Sequence, residues 1–195
     1  MIKILNILEE YELYRVFLDN NTSLLVDDED IIKYQILTKK ELSCTALNEI
    51  QNKNKKYECI SDAFKLLNKK FYTTKEMNEK LSNKKYDSEI INNTIEYLVD
   101  NNYLNDEVYI NDYVEFKINQ GYGPLYIKNK LYQLGLNNNF NFTIEMQKEA
   151  LRNYFLKSSY KINDEKTLEK VIAKLKKQGF YYDIIKEIYE EITKG

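Results

Sequence analysis

A short pattern occurs three times along this chain, and it limits the folds that the chain can adopt. Each copy has an apolar residue, a Lys-Leu pair ending one helical turn later, and an aromatic or leucine residue five positions after that leucine. The copies are Met77, Lys80-Leu81 and Tyr86; Ile127, Lys130-Leu131 and Leu136; and Val171, Lys174-Leu175 and Phe180. A spacing of four places the apolar residue and the leucine on one helix face. Units of this size bury that face by stacking on their neighbours, so we expect tandem helical repeats.

The copies also carry signals for where helices begin. Thr73 and Glu76 have the spacing of a capping box, and Gly123-Pro124 puts proline at a first helical position, where its missing N–H costs nothing. Two copies continue with a further amphipathic start, at Tyr86-Asp87-x-x-Ile90-Ile91 and Phe180-Tyr181-x-x-Ile184-Ile185. We therefore expect each repeat to contain three helices.

The residues that the chain lacks exclude several classes of function. There is no histidine, which is the commonest general base and the commonest metal ligand. No phosphate-binding loop, dinucleotide motif or metal-ligand cluster occurs in the sequence. Only five glycines and one proline occur in 195 residues, which favours long helices. We expect a protein that is not an enzyme, with no catalytic residues, no cofactor and no metal.

The charges are balanced, so the whole molecule does not attract a polyanion. The chain has 29 Lys and Arg against 31 Asp and Glu, a net charge of -2, and any contact with nucleic acid would need a local basic patch. No apolar run approaches the roughly 20 residues that cross a bilayer, and no leader-like apolar segment follows Met1. Cys44 and Cys59 lack a metal or redox spacing and are expected to be free thiols. We expect a cytoplasmic protein with no membrane partner.

The first third of the chain has a different pattern. Apolar residues from Ile2 to Val26 alternate with period two, and Asp19–Thr22 has the composition of a tight turn, so a small strand meander is predicted. Helical spacing begins at Ile31, and a second short helix is predicted at about Glu41–Ile50. The apolar-free run Gln51–Lys56 is interpreted either as a solvated link or as one exposed helical turn.

The middle copy lies in a more specific context. Tyr103-Leu104-Asn105-Asp106 is followed by Tyr109, Tyr113, Lys117, Gly121-Tyr122-Gly123-Pro124, Ile127 and Leu131. This combination resembles the RecX family of recombination regulators, and the resemblance covers nearly the whole chain. The N-terminal strands followed by Leu42–Ile50 look like the extension of Gram-positive RecX proteins.

Two features depart from the family pattern. The family tends to have arginine near this motif, where this chain has Asn119, Gln120, Tyr126 and Asn129. The stretch Asn137–Glu145 is also short for the third helix of the middle repeat, which we expect to be truncated or merged with the next helix.

The resulting fold prediction is mainly α. We expect tandem three-helix repeats in an elongated, curved array, with a small N-terminal β-hairpin or meander plus helices. The predicted divisions are an extension at 1–56, and repeats at 57–104, 105–147 and 148–195.

The resemblance also implies a function. It implies a non-enzymatic regulator, usually an inhibitor, of the RecA recombinase, which lies along the groove of the RecA filament on single-stranded DNA and restrains ATP hydrolysis and strand exchange in recombination and DNA repair. A rigid repeat protein suits such a groove because linked weak contacts to successive protomers gain effective concentration. We expect a monomer that binds DNA itself only weakly. The alternative is a helical-repeat protein that binds nucleic acid directly.

The candidate residues fall into two groups. Those expected, as a group, to bind the filament groove are Lys117, Tyr122, Lys128, Lys130, Arg152, Lys157, Lys174 and Lys177. The alternative for each single basic residue is a place on a solvated surface. Tyr122 lies between two glycines, so it can project toward a partner. Those interpreted as structural are Asp106 as a cap or first-turn acid, Tyr109 and Tyr113 as core, and Gly121, Gly123 and Pro124 as helix-terminus residues.

Overall fold

The computed structural model describes residues 1–136, 140–157 and 165–194. Within these ranges the chain forms ten helices and one small antiparallel sheet at the N-terminal end, which confirms the predicted mainly α class with N-terminal strands. Two compact units are present, Met1–Leu104 and Asn105–Gly195, and they are called unit 1 and unit 2.

The sheet of unit 1 has four strands in the order β3-β2-β1-β4. They are β1 (Ile2–Glu10), β2 (Leu13–Leu18), β3 (Ser23–Val26) and β4 (Glu41–Leu42). The predicted meander is right, and its turn is closed by the N–H of Leu18, which donates to the Thr22 carbonyl at 2.9 Å. Asn21 adopts the left-handed conformation there, with φ of 61°, as asparagine tolerates better than most residues.

Five helices complete unit 1. They are α1 (Asp28–Lys33), α2 (Ile36–Lys39), α3 (Cys44–Leu67), α4 (Thr74–Asn83) and α5 (Ser88–Asp100). The predicted capping box at α4 is present, because the Thr73 hydroxyl accepts from the N–H of Glu76 at 3.1 Å while the Glu76 carboxylate accepts from the N–H of Thr73 at 3.2 Å.

The prediction of a short helix at Glu41–Ile50 is wrong. Glu41–Leu42 is strand β4, and α3 begins at Cys44 and continues through Gln51–Lys56 to Leu67. Of the two interpretations of that polar run, the helical one is right. Its polar side chains have partners in the sheet region, since Lys53 pairs with the buried Asp30 at 2.9 Å and Asn54 accepts from the N–H of Leu25 at 3.2 Å. The boundary expected between residues 56 and 57 therefore lies inside one continuous helix.

The strands and the first helical bundle share a core within unit 1. Leu13 and Leu25 of the sheet belong to the same buried cluster as α3, α4 and α5 residues such as Ile60, Leu81 and Leu98. At the β1–β2 turn, Tyr11 stacks on Phe64 of α3 with ring centroids 5.5 Å apart. The N-terminal strands are thus packed on the first bundle.

Unit 2 contains five described helices. They are α6 (Asp106–Asn119), α7 (Pro124–Gln133), α8 (Ile144–Lys157), α9 (Glu165–Lys177) and α10 (Tyr182–Lys194). The core includes one buried apolar residue from each: Ile118, Leu131, Leu151, Leu175 and Ile188. In the described residues α8 is the single helix between α7 and α9, and it packs on both α6 and α10. The stretch Asn137–Glu145 was expected to hold a truncated third helix or one merged with the next, and its residues 137–139 lie outside the described residues.

Candidate functional site

The segment that joins α6 to α7 is built on a close backbone contact with α8. Gly121 ends α6 in the left-handed conformation, with φ of +83°, and its N–H donates to the Ile118 carbonyl at 2.8 Å. A Cβ at this position would lie 2.7 Å from the Cα of Tyr154 in α8. Glycine is therefore required at position 121 both by the conformation and by the neighbouring helix.

The start of α7 is held by the loop between α9 and α10. The N–H of Gly123 donates to the Gln178 carbonyl at 2.8 Å, and the N–H of Leu125 donates to the Gly179 carbonyl at 3.0 Å. Both N–H groups belong to a helix N-terminus, where no intrahelical acceptor exists. Pro124, between them, occupies the first helical position.

The two loops are in contact through their glycines. A Cβ on Gly123 would lie 2.4 Å from the carbonyl carbon of Gly179, and a Cβ on Gly179 would lie 2.2 Å from the nitrogen of Tyr126. Gly179 also has φ of +89°. The α6–α7 segment and the α9–α10 loop are thus joined backbone to backbone. A side chain on Gly123 would displace the α9–α10 loop, and one on Gly179 would displace the first turn of α7.

The tyrosine between the glycines does not project freely. Tyr122 is half-buried against the unit 2 core, and its ring stacks on that of Tyr126 with centroids 4.2 Å apart and an interplanar angle of 18°. Tyr109 and Tyr113 of α6 are also half-buried, and their rings stack at 6.1 Å. These side chains are part core and part surface.

Two lysines lie over these rings. The ammonium of Lys117 is 5.1 Å from the centroid of Tyr122 and 5.5 Å from that of Tyr113, and that of Lys130 is 5.8 Å from the centroid of Tyr126. At these distances the ring quadrupoles attract the cations. We call this group the Tyr-Lys surface; its members are Tyr109, Tyr113, Lys117, Tyr122, Tyr126 and Lys130.

The Tyr-Lys surface is positively charged. Lys117 and Lys130 donate to the amide oxygens of Gln120 and Gln133 at 2.9 and 3.1 Å, and neither ammonium is in an ion pair with a carboxylate of the described residues. Burial raises the pKa of the Tyr113 hydroxyl, and the nearby Tyr126 raises it further. That hydroxyl is therefore neutral at pH 7 and available as a donor, beside two uncompensated positive charges.

The other predicted binding residues have different surroundings. Lys128 lies over the Phe142 ring at 5.6 Å, and Arg152 pairs with Glu145 at 3.2 Å. The ammonium of Lys157 donates to the Asn119 carbonyl at 2.5 Å, at the C-terminal end of α6, where positive charge is favourable. Lys174 and Lys177 are exposed in the last turn of α9. Of the eight predicted residues, the structure brings Lys117, Tyr122 and Lys130 together.

Asp106 takes the second of its two predicted roles. It is the first residue of α6, and the cap is the preceding Asn105, whose side-chain oxygen accepts from the N–H groups of Glu107 and Val108 at 3.1 Å each. Asp106 is thus a first-turn acid.

Sequence reasoning missed Tyr126 and Gly179. Tyr126 follows Tyr122 by four positions and precedes Lys130 by four, which is the spacing of neighbours on a helix face. Gly179 stands immediately before Phe180, as Gly135 stands immediately before Leu136 in the middle copy. Aligning the copies around these glycines would have singled out position 179.

Other kinds of site are not seen in the described part of the chain. Among those residues no group of three or more His, Cys, Asp or Glu side chains could hold a metal ion, and no helix is long and apolar enough to cross a membrane. Both cysteines are free thiols; Cys59 is buried, and burial raises the pKa of its thiol.

Comparisons with known proteins agree with one another. A family model described as RecX, first three-helix domain, matches residues 59–98. The Regulatory protein RecX of Clostridium botulinum (strain Eklund 17B / Type B) is 29% identical over 191 residues, covering 92% of this chain and 90% of the relative. That of Bacillus subtilis (strain 168) is 26% identical over 191 residues, covering 93% and 72%.

Two solved structures are similar as well. A crystal structure of regulatory protein RecX aligns with a TM-score of 0.65 and 21% identity over 97% of this chain and 100% of the other, which shows the shared fold. The crystal structure of RecX from Lactobacillus salivarius aligns with a TM-score of 0.60 and 27% identity over 71% of this chain and 97% of the other. The repeat pattern, the family model and the relatives agree, so this chain is similar to the RecX regulatory proteins over more than nine-tenths of its length.

Proposed function

We propose that this protein is a non-enzymatic regulator of the RecA recombinase that binds the RecA filament on single-stranded DNA and restrains its ATP hydrolysis and strand exchange. The similarity to RecX regulatory proteins supports a regulatory role. The observation that carries the choice of site is the Tyr-Lys surface, where Lys117 and Lys130 lie over tyrosine rings without a carboxylate partner among the described residues.

The Tyr-Lys surface has the properties of a protein-binding site. Lys117 is held by the rings of Tyr113, Phe116 and Tyr122 and by Gln120, so little of its side-chain freedom remains to be lost on binding. Tyrosines with one buried side are typical anchors of interfaces. An acidic face of a protein partner would match the two charges.

The filament is preferred over bare DNA as the partner. Tyr122 and Tyr126 cover one face of each other at 4.2 Å, which leaves less ring surface on which a base could stack. The net charge of -2 also opposes binding to a polyanion alone. In a filament, the contacts of one chain with successive RecA protomers would be linked, so weak contacts would reinforce each other.

Direct binding to single-stranded nucleic acid is the second candidate function, and it is also supported by the Tyr-Lys surface. Lysines beside tyrosine rings are the combination that single-strand-binding proteins use. Direct binding predicts that the affinity for naked DNA is comparable to the affinity for the RecA filament, and that it falls steeply with added salt.

The test is DNA-dependent ATP hydrolysis by the cognate RecA, titrated with this protein, beside its binding to the same bare DNA. We expect suppression at well below one molecule per RecA protomer, with weak binding to bare DNA. The variant Lys117→Gln/Lys130→Gln should require roughly tenfold more protein for the same suppression, as for loss of about 1.4 kcal/mol of binding. The matched control, Lys55→Gln/Lys56→Gln, removes the same charge from exposed positions of α3.

The outcomes separate the candidates. Absence of any effect of the unmodified protein on RecA would overturn the proposal. Equal binding to bare DNA and to the filament would favour the second candidate, and equal losses in the variant and its control would remove the Tyr-Lys surface as the site.

A further inference from the structure

A cleft lies between α6 and α8 in unit 2, apart from the Tyr-Lys surface. Its volume is about 390 Å³, and its floor is formed by Val114 and Ile118 of α6. Phe140 and Met146, from the start of the α8 region, form the apolar walls. The rim includes Glu115 of α6 and Glu149 of α8, and Asn111 and Asn119 of the α6 side also line the cleft.

The interior of the cleft can bury an apolar group. Val114 and Ile118 are only 1% and 4% exposed, so they belong to the core, whereas Phe140 and Met146 are half-buried and present the reachable surface. The volume is near the lower end of the roughly 300–1,000 Å³ that ligand pockets span. The cleft therefore suits one or two side chains rather than a whole helix.

The rim is negative. Glu115 and Glu149 are exposed, and neither forms an ion pair with any residue that the structure describes. No lysine or arginine lines the cleft. Lys157 donates a hydrogen bond to the carbonyl of Asn119, one of the lining residues, at 2.5 Å. Two uncompensated carboxylates beside an apolar interior favour a ligand that is apolar at its centre and positive on both sides.

The cleft and the Tyr-Lys surface face different directions. Each residue turns an α-helix by about 100°, so positions two apart point to nearly opposite sides. Glu115 lies two positions after Tyr113 and two before Lys117. A partner can therefore occupy the cleft while the Tyr-Lys surface is bound.

We propose that this cleft is a second protein-binding site, which takes one apolar side chain of an extended partner segment flanked by lysine or arginine residues. The apolar side chain lies between Phe140 and Met146, above Val114 and Ile118. The flanking cations pair with Glu115 and Glu149. This site goes beyond the proposed function and does not depend on it.

The test uses the full chain labelled with ¹⁵N and a short synthetic peptide with a central leucine between two pairs of arginines. We expect the amide resonances of Glu115, Ile118, Met146 and Glu149 to shift on titration. A peptide with serine in place of leucine should bind much more weakly because nothing enters the cleft. A peptide with glutamates in place of the arginines should not bind.

Two variants assign the effect to the cleft. Glu115→Gln/Glu149→Gln should weaken binding of the leucine peptide roughly threefold to tenfold, as expected for two solvent-exposed ion pairs. Asp112→Asn/Glu169→Gln makes the same change in net charge at exposed positions outside the cleft and should leave the affinity unchanged. Met146→Gln, which keeps the charges, should also weaken binding by removing an apolar wall.

Three results would overturn the proposal. The first is a set of shifts that does not include the cleft residues. The second is equal affinity for the leucine and serine peptides, which would mean that only charge is recognised. The third is a concentration-dependent shift of the same amides without peptide, which would mean that a second copy of this chain occupies the cleft.

Discussion

The helices α4 and α7 occupy the same position in the first and middle copies of the repeat, yet their N-termini are stabilised in different ways. At α4 the acceptors are side chains within four residues, Thr73 and Glu76. At α7 they are the carbonyls of Gln178 and Gly179, in the third copy. The N-terminus of α4 is therefore stabilised by neighbouring residues alone, whereas the N-terminus of α7 depends on distant residues of unit 2.

The tyrosines that precede these two helices differ in the same sense. Tyr72 and Tyr122 each have a lysine over the ring, Lys70 at 4.3 Å and Lys117 at 5.1 Å. Lys70 is also paired with Glu76 at 2.8 Å, whereas Lys117 has no described carboxylate partner. The lysine over the tyrosine ring is thus neutralised by a carboxylate in the first copy and keeps its positive charge in the middle copy. The middle copy is where we propose that a partner binds.

The largest effect on stability is expected from Gly179→Ala, which disrupts the contact between the α9–α10 loop and the start of α7. The new Cβ would meet the backbone of Tyr126 at 2.2 Å and the residue would keep φ of +89°. We expect unit 2 to lose roughly 3 kcal/mol of unfolding free energy, from left-handed strain and overpacking together. Urea denaturation of the variant measures this loss.

The matched control is Gly135→Ala, at the corresponding glycine of the middle copy. Gly135 has φ of +82°, so its replacement includes the strain of the left-handed conformation, about 1 kcal/mol. Equal losses in the two variants would mean that the contact between the glycine loops contributes nothing beyond that strain.

A second, smaller effect is expected when acid breaks the ion pairs of unit 1. The hydrogen bond from Arg15, helped by Ser61 and Lys65, lowers the pKa of Glu10 from 4.5 to about 2. Because the folded pKa is below the unfolded one, this stabilisation is complete above pH 4.5 and is lost as the pH falls toward 2. The full difference in pKa would correspond to about 3 kcal/mol. Because the side chains of Arg15 and Lys65 are partly exposed, solvent screening reduces the expected contribution to on the order of 2 kcal/mol.

Hydrogen exchange at a series of pH values can follow units 1 and 2 separately. In Glu10→Gln we expect this part of the acid dependence of unit 1 to disappear, while the exposed neighbour substitution Glu9→Gln keeps it. An unchanged pH profile in Glu10→Gln would contradict the assignment.

Removal of the local cap of α4 should cost less. Thr73→Ala removes the acceptor for the N–H of Glu76, so we expect a loss of about 1 kcal/mol, confined to unit 1. Ser82→Ala, at an exposed hydroxyl of the same helix, should change stability by less than about 0.5 kcal/mol. Faster exchange in unit 2 of the Thr73→Ala protein would show that α4 is less independent than the structure indicates.

The smallest effects on stability should come from the two lysines. Lys70→Met and Lys117→Met should each cost about 0.5 kcal/mol, since a partly exposed cation over an aromatic ring contributes little. Their effects on RecA should differ, however. We expect Lys117→Met to weaken suppression of RecA ATP hydrolysis and Lys70→Met to leave it unchanged; the reverse result would place the binding site in the first copy.

The parts of the fold that sequence predicted depend on nearby residues. The capping box at Thr73, the proline at the start of α7 and the turn at Asp19–Thr22 each involve residues within four positions of one another, so their spacing is sufficient to recognise them. The three copies of the pattern were enough to place the helices that carry Met77, Ile127 and Val171.

Two of the parts that sequence missed depend on distant residues. The polar run Gln51–Lys56 looked like a link because Asp30 and the backbone of Leu25, which contact it, lie more than twenty positions earlier. The contact of Gly123 with Gly179 likewise has no local signal. Tyr122 is a different case, because Tyr126 and Lys117, which contact its ring, lie only four and five positions away. The spacing from Tyr122 to Tyr126 was a local signal that the prediction did not use.

The distant support of α7 also has a consequence for synthesis of the chain. Glu76 completes the capping of α4 three residues after Thr73 is made, but the acceptors for Gly123 and Leu125 are not made until the ribosome reaches Gln178 and Gly179. At roughly 5–20 residues per second, this is a delay of several seconds. During this delay the first bundle can form on the nascent chain, while the N–H groups at the start of α7 still lack their acceptors. A chain interrupted before residue 178 would never supply these acceptors.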